Sequence, residues 1–137
     1  GLVGLSTATA AQAAPAAPAR VAGTPCADGV RACVDLSSKQ AWLIENGVVS
    51  YGPVQIASGK AGYRTPPGTF RVSFKSRHHV SSIYGSPMPY SVFFNRGIAF
   101  HQGDLGSGSH GCVRLSRAAA QTFFNTLRPG DVVQVVR

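Results

Sequence analysis

A chain of 137 residues with 44% hydrophobic and 13% charged side chains has material for one compact domain and no room for a second. Its 13 Lys and Arg outweigh 5 Asp and Glu, a formal charge of +8 that favours anionic surroundings such as a negatively charged wall polymer. The basic residues are scattered from Arg20 to Arg137 without a Lys/Arg-rich run, which argues against nucleic acid as a partner, and no stretch is long and apolar enough to span a bilayer as a helix.

Residues 1–25 read as a segment apart from the rest. The opening is small and apolar, and Ala11-Gln12-Ala13 has the small-x-small form that signal peptidase accepts. It reads as the back half of an export signal whose charged front and initiator Met are missing. A Pro/Ala linker over 14–20 follows, so residues 1–25 are expected to be disordered and the domain to occupy 26–137. Export implies an oxidising compartment outside the cytoplasmic membrane, where an odd set of Cys26, Cys33 and Cys112 leaves one thiol over. Cys26 and Cys33 flank the turn signal Asp28-Gly29 and can face each other as a disulfide. Three unpaired cysteines acting as small hydrophobes are the alternative.

From Ala32 onward, short β-rich runs alternate with turn residues: 32–36, 40–44, 48–51, 54–57, 69–74, 91–94, 98–101, 112–115 and 132–136. Asn46-Gly47 between the second and third is a two-residue hairpin signature. The adjacent His78-His79 reads as a solvated loop. One helix interrupts the strands: Ser116 can cap residues 117–126, Pro129-Gly130 closes the segment, and Phe123, Phe124 and Leu127 would pack it on a sheet. The pattern is mainly β, a sandwich or barrel-like domain with one short helix near the C-terminus.

The densest chemistry lies between His101 and Cys112, which enclose His110 and four glycines within twelve residues. A thiol becomes a nucleophile at neutral pH when a neighbour takes its proton or stabilises its thiolate, and histidine does both. His110 falls on the same side of an extended chain as Cys112, whereas His101 ends a different run and can approach from alongside; either can serve as base. Gly111 leaves the backbone N–H groups of Gly111 and Cys112 open to a developing oxyanion. A zinc site built from Cys112, His101 and His110, for which no fourth ligand is evident, and a purely structural cluster are the competing readings.

Ser109-His110-Gly111-Cys112-Val113-Arg114-Leu115, preceded by His101, resembles the signature of the L,D-transpeptidase catalytic domain (YkuD type), bacterial enzymes that cross-link peptidoglycan. The resemblance extends through Gln40-Ala-Trp-Leu-Ile-Glu-Asn-Gly47, Ser58-Gly59-Lys60, Thr65-Pro66-Pro67-Gly68-Thr69-Phe70 and Met88-Pro89-Tyr90. It implies Cys112 as nucleophile, His101 as base held by the carbonyl of Gln102, and His110, Ser109 and Gly111 as supporting residues. Arg114 would bind a substrate carboxylate or pair with Asp104, and Tyr84 would line the cleft. Only eight residues separate His101 from His110, so the loop beside the nucleophile is short. No metal or organic cofactor is implied. The expected partners are peptidoglycan stem peptides, a tetrapeptide donor and an amine acceptor, joined through a cysteine thioester into third-to-third cross-links or hydrolysed as by an L,D-carboxypeptidase. Carbapenems would acylate the same thiol. Alternatives are a cysteine peptidase or amidase on other peptides and a non-catalytic basic wall-binding module.

Overall fold

The computed structural model describes residues 19–137, so the expected export-signal remnant and most of the Pro/Ala linker lie outside the described residues. Nine strands and one helix follow in chain order: β1 (Ala32–Asp35), β2 (Gln40–Glu45), β3 (Val48–Gln55), β4 (Gly68–Arg71), β5 (Phe74–Val80), β6 (Pro87–Asn95), β7 (Ile98–Gln102), β8 (Val113–Leu115), α1 (Arg117–Thr126) and β9 (Val132–Val136). They form two sheets, β3-β2-β1-β9-β4 and β5-β6-β7-β8, antiparallel except where β1 meets β9 and β7 meets β8. The mainly β expectation with one short helix holds. No helix among the described residues is long and apolar enough to cross a membrane.

Alternation along the strands explains the layering. Ala32 and Val34 of β1 and Ala41 and Leu43 of β2 turn to the main core, which they share with Val92, Phe100, Val113 and Leu115 of the second sheet. The intervening Cys33, Trp42 and Ile44 turn to the opposite face, and Val21, Cys26 and Val30 cover it. Burial on both faces makes β2 an apolar run and not an alternating one. Cys26 and Cys33 are joined as a disulfide with their Cα atoms 5.9 Å apart, which ties this cover to β1.

The folded chain therefore extends ahead of the boundary expected at Cys26. Arg20 bridges Ala27, the Val21 N–H donates to the Cys26 carbonyl at 3.0 Å, and Val21 is buried. Val21 falls ahead of the expected domain in sequence because the surface it covers is made by residues of β1 and β2. Three further expectations change. The run at 48–51 and the first half of that at 54–57 are one strand, β3, which passes through Gly52 at φ 110° and ends at Gln55, while Ala57 bridges Arg114 instead. The run at 69–74 divides at Val72 and Ser73: the Val72 N–H donates to Asp131 on the first sheet's side, and the Ser73 N–H to Phe93 in the second. His78 and His79 are not in a loop but in β5, opposite Pro89 and Met88. β5 is a sheet edge, so its exposed Arg77 and His78 carry no core-facing pattern, and a charge such as that of Arg77 keeps an edge from pairing with other chains.

Asn46 and Gly47 both adopt positive φ, 52° and 76°, the backbone that a two-residue turn between twisted strands requires. The Ser116 side chain accepts from the Ala119 N–H at 3.2 Å and starts α1. Phe123 and Leu127 are fully buried, and Phe123 meets Phe100 of the second sheet and Tyr51 of the first at ring separations of 5.0 and 6.3 Å. The helix thus closes one side of the sandwich. Phe124 is only half-buried, with the Lys75 ammonium 4.7 Å from its ring centre.

Candidate active site

β7 and β8 run in parallel with His101 opposite Arg114. Residues in register share a face, as do residues two apart on one strand, so His101, Arg114 and Cys112 lie on the same face of the second sheet. Cys112 stands one residue ahead of β8. All three line an open cleft of about 570 Å³, together with Ser109, His110 and Tyr84.

The His101 ring is 6% exposed, and its Nδ1 lies 2.7 Å from the carbonyl oxygen of Gln102. A carbonyl only accepts, so Nδ1 carries the proton and Nε2 keeps its lone pair free to take another. Burial pushes the His101 pKa below 6.5; the bond to Gln102 opposes this, and the charges of Arg114 and His79 add to it. Cys112 is the one free cysteine among the described residues. Its thiol lies 3.6 Å from the Gly97 carbonyl and packs against Met88, Phe93 and Ala99. Burial pushes the thiol pKa above 9.0, against the pull of the Ala99 backbone and of Arg114. Burial thus favours the uncharged form of each of the two groups that line the cleft.

The turn before Cys112 is held by buried hydroxyls. Gly111 sits at φ 127°, a conformation that side-chain-bearing residues rarely adopt. Its N–H donates to Ser109 Oγ at 3.0 Å, and the Ser109 hydroxyl donates to the Cys112 carbonyl at 2.6 Å. This corrects one expectation: the Gly111 N–H is occupied and not open to an oxyanion. The Cys112 N–H has no such partner among the described residues. Sequence reasoning could not foresee the capture, because a serine two residues ahead can equally turn outward.

His110 is exposed and lies between two tyrosines, stacked on Tyr84 at 4.1 Å and edge-on to Tyr63 at 4.8 Å. Among the described residues, no group of three or more His, Cys, Asp or Glu side chains could hold a metal ion. Asp104 neither orients His101 nor pairs with Arg114; it accepts from the Gly106 N–H at 2.9 Å and the Ser107 hydroxyl at 2.8 Å. Arg114 makes long contacts of 3.3 to 3.5 Å to Ser107 and Gly108, which leaves guanidinium donors available to a ligand. Gly103 makes room for it, since a Cβ there would come within 2.9 Å of the Arg114 side chain.

Tyr63 and Thr65 were not singled out as site residues. Thr65 is 2% exposed and donates to the Gly111 carbonyl at 2.7 Å, across 46 positions of chain. The signal available was a hydroxyl directly ahead of Pro66-Pro67, which by itself reads as a turn.

A family model described as the L,D-transpeptidase catalytic domain, YkuD, matches residues 29–135. No curated protein sequence matches the chain. Among solved structures, an L,D-transpeptidase (Yku) from Stackebrandtia nassauensis is 34% identical, with a TM-score of 0.74 over 77% of this chain and 54% of its own. An L,D-transpeptidase from Mycobacterium tuberculosis H37Rv is 25% identical, with a TM-score of 0.72 over 81% and 59%. The LD transpeptidase LdtMt1, in complex with imipenem, is 25% identical, with a TM-score of 0.71 over 80% and 60%. This chain spans between half and three fifths of each of those chains.

Proposed function

The chain belongs to the L,D-transpeptidase catalytic domain family, and we propose that it is a cysteine acyltransferase acting on peptidoglycan stem peptides outside the cytoplasmic membrane. The observation that carries the reading is the pairing, in one cleft, of the free thiol of Cys112 with an imidazole whose Nδ1 is committed to Gln102. Such an imidazole has one job left at Nε2, which is to take and return a proton.

In the first step, Cys112 Sγ attacks the carbonyl carbon of the third stem residue while its proton passes to His101 Nε2. Charge grows on the carbonyl oxygen, and the Cys112 N–H is the backbone donor available to it. The C–N bond to the terminal D-alanine then breaks, and His101 returns the proton to the departing amine. In the second step an amine of another stem attacks the thioester and gives its proton to His101, which restores the thiol and leaves a third-to-third cross-link. Water in place of the amine gives L,D-carboxypeptidase activity. The chemistry calls for no metal or organic cofactor. In this reading Arg114 binds a substrate carboxylate and Tyr84 with His110 forms one wall, supported by their shared lining of the cleft and the stacking of the two rings. The disulfide supports an oxidising location, and the charge of +8 supports residence among anionic wall polymers.

Intact-mass analysis after incubation with imipenem, alongside turnover of a tetrapeptide stem, tests the reading. A single covalent adduct on the native chain, absent in Cys112→Ala, together with release of D-alanine from the stem, is expected. No adduct, or one that persists in Cys112→Ala, would overturn it.

A further inference from the structure

The hydroxyl of Thr65 accepts from the Gly59 N–H at 3.0 Å, so its single proton goes to the other partner, the Gly111 carbonyl at 2.7 Å. The hydroxyl of Ser109 works in the same way: it accepts from the Gly111 N–H and donates its proton to the Cys112 carbonyl. Two separate relays therefore meet at this turn: Gly59 N–H to Thr65 Oγ1 to the Gly111 carbonyl, which belongs to the Gly111–Cys112 peptide, and Gly111 N–H, of the His110–Gly111 peptide, to Ser109 Oγ to the Cys112 carbonyl, with each bond strengthening the next within its own relay. Both hydroxyl-bearing residues are 2% exposed, so water does not compete for these partners.

Thr65 and Ser109 between them pin both peptide planes that meet at the Cys112 Cα. A trans peptide is planar, with its carbonyl and N–H pointing in opposite directions. Holding the Gly111 oxygen toward Thr65 therefore holds the Cys112 N–H away from it. With φ 127° at Gly111, no side chain of its own steadies this plane. The Gly111 N–H is spent on Ser109, so the Cys112 N–H is the backbone donor left in the turn for a tetrahedral oxyanion. We infer that Thr65 is a positioning residue for acyl transfer: its hydroxyl fixes the Gly111–Cys112 peptide plane and thereby aims the oxyanion donor beside the nucleophile. This rests on the acyl-transfer reading of the site.

The geometry also gives a reason for the Thr65-Pro66-Pro67 sequence. Gly59 lies against Tyr63 and Thr65 so closely that a Cβ there would fall 2.7 Å from the Thr65 N. The segment from Gly59 to Thr65 is thus a tight loop whose closing bond is the Gly59 N–H to Thr65 hydroxyl. Proline after Thr65 restricts the threonine backbone to extended conformations and so limits where its hydroxyl can point.

Two rates on the same protein test this: alkylation of Cys112 by iodoacetamide, which needs a reactive thiol and no oxyanion donor, and acylation by imipenem, which needs both. In Thr65→Val, alkylation is expected to stay within about threefold of the native rate across the pH range, while acylation falls about 10- to 100-fold, less than the loss of a whole oxyanion donor. Thr65→Ser is expected to acylate within about threefold of native, because it restores the hydroxyl. Acylation of Thr65→Val at the native rate, an equal fall in both rates, or a Thr65→Ser protein that folds but acylates as poorly as Thr65→Val would each overturn the inference. Should Thr65→Val fail to fold, Thr65→Ala, which also lacks the hydroxyl, takes its place with the same expected and overturning outcomes. A native protein that alkylates but never acylates would instead sink the acyl-transfer reading and this inference with it.

Discussion

Titrating the reactivity of Cys112 against pH distinguishes two ways in which a thiol and an imidazole can share a site. Burial acts on the pair in opposite senses, pushing the thiol above 9.0 and the imidazolium below 6.5. Both shifts oppose moving the thiol proton onto the imidazole, so a resting thiolate–imidazolium pair is disfavoured. Alkylation by iodoacetamide is expected to climb about tenfold for each pH unit from about pH 5 to about pH 8. Acylation should behave differently, because it uses His101 as base during attack and needs only a neutral imidazole. It is expected to rise on the acid side and level off once His101 is deprotonated, at a pH below 6.5. An alkylation rate that is flat from about pH 5 to about pH 7 would show a resting thiolate–imidazolium pair and refute the argument from burial.

Removing the disulfide with Cys26→Ser/Cys33→Ser should cost about 2 kcal/mol, the entropy released by opening a short loop, as a lower urea midpoint, with acylation by the folded fraction unchanged. Phe123→Ala empties a fully buried site between the two sheets; a loss of about 3 to 5 kcal/mol is expected by urea unfolding, and a loss under about 1 kcal/mol would contradict the packing described. Linkage gives the last prediction. His101 binds its proton less readily folded than unfolded, so its contribution to stability is lost as pH falls below 6.5 and through its lower folded-state pKa. Cys112 holds its proton more tightly folded, so its contribution is lost as pH rises above 9.0 and through its higher folded-state pKa. Urea midpoints should fall on both sides of this window, and the alkaline fall should be shallower in Cys112→Ser.

Much of the architecture was legible along the chain because its causes are local. Turn chemistry at Asn46-Gly47 and the cap at Ser116 each depend on a few neighbouring residues. The residues expected to carry chemistry are adjacent in sequence for a related reason: β7 and β8 are joined by one short loop, so His101 and Cys112 can share a cleft without distant help.

What the sequence by itself determined was the mainly β character, the helix and its cap, and the short loop joining Cys112 to its nearby histidines. Tertiary structure decided what depends on surfaces that exist only after folding. Val21 became core because β1 and β2 present Cys33, Trp42 and Ile44 on their outer face. His78 and His79 became an edge strand because β6 offered a ladder, a partner no pattern within β5 announces. The donors of the Gly111 turn were apportioned by two hydroxyls, one of them 46 positions away. A hydroxyl has no periodicity to betray its partner; its bond is set by which carbonyl is left buried beside it, and that is known only once the sheets have closed.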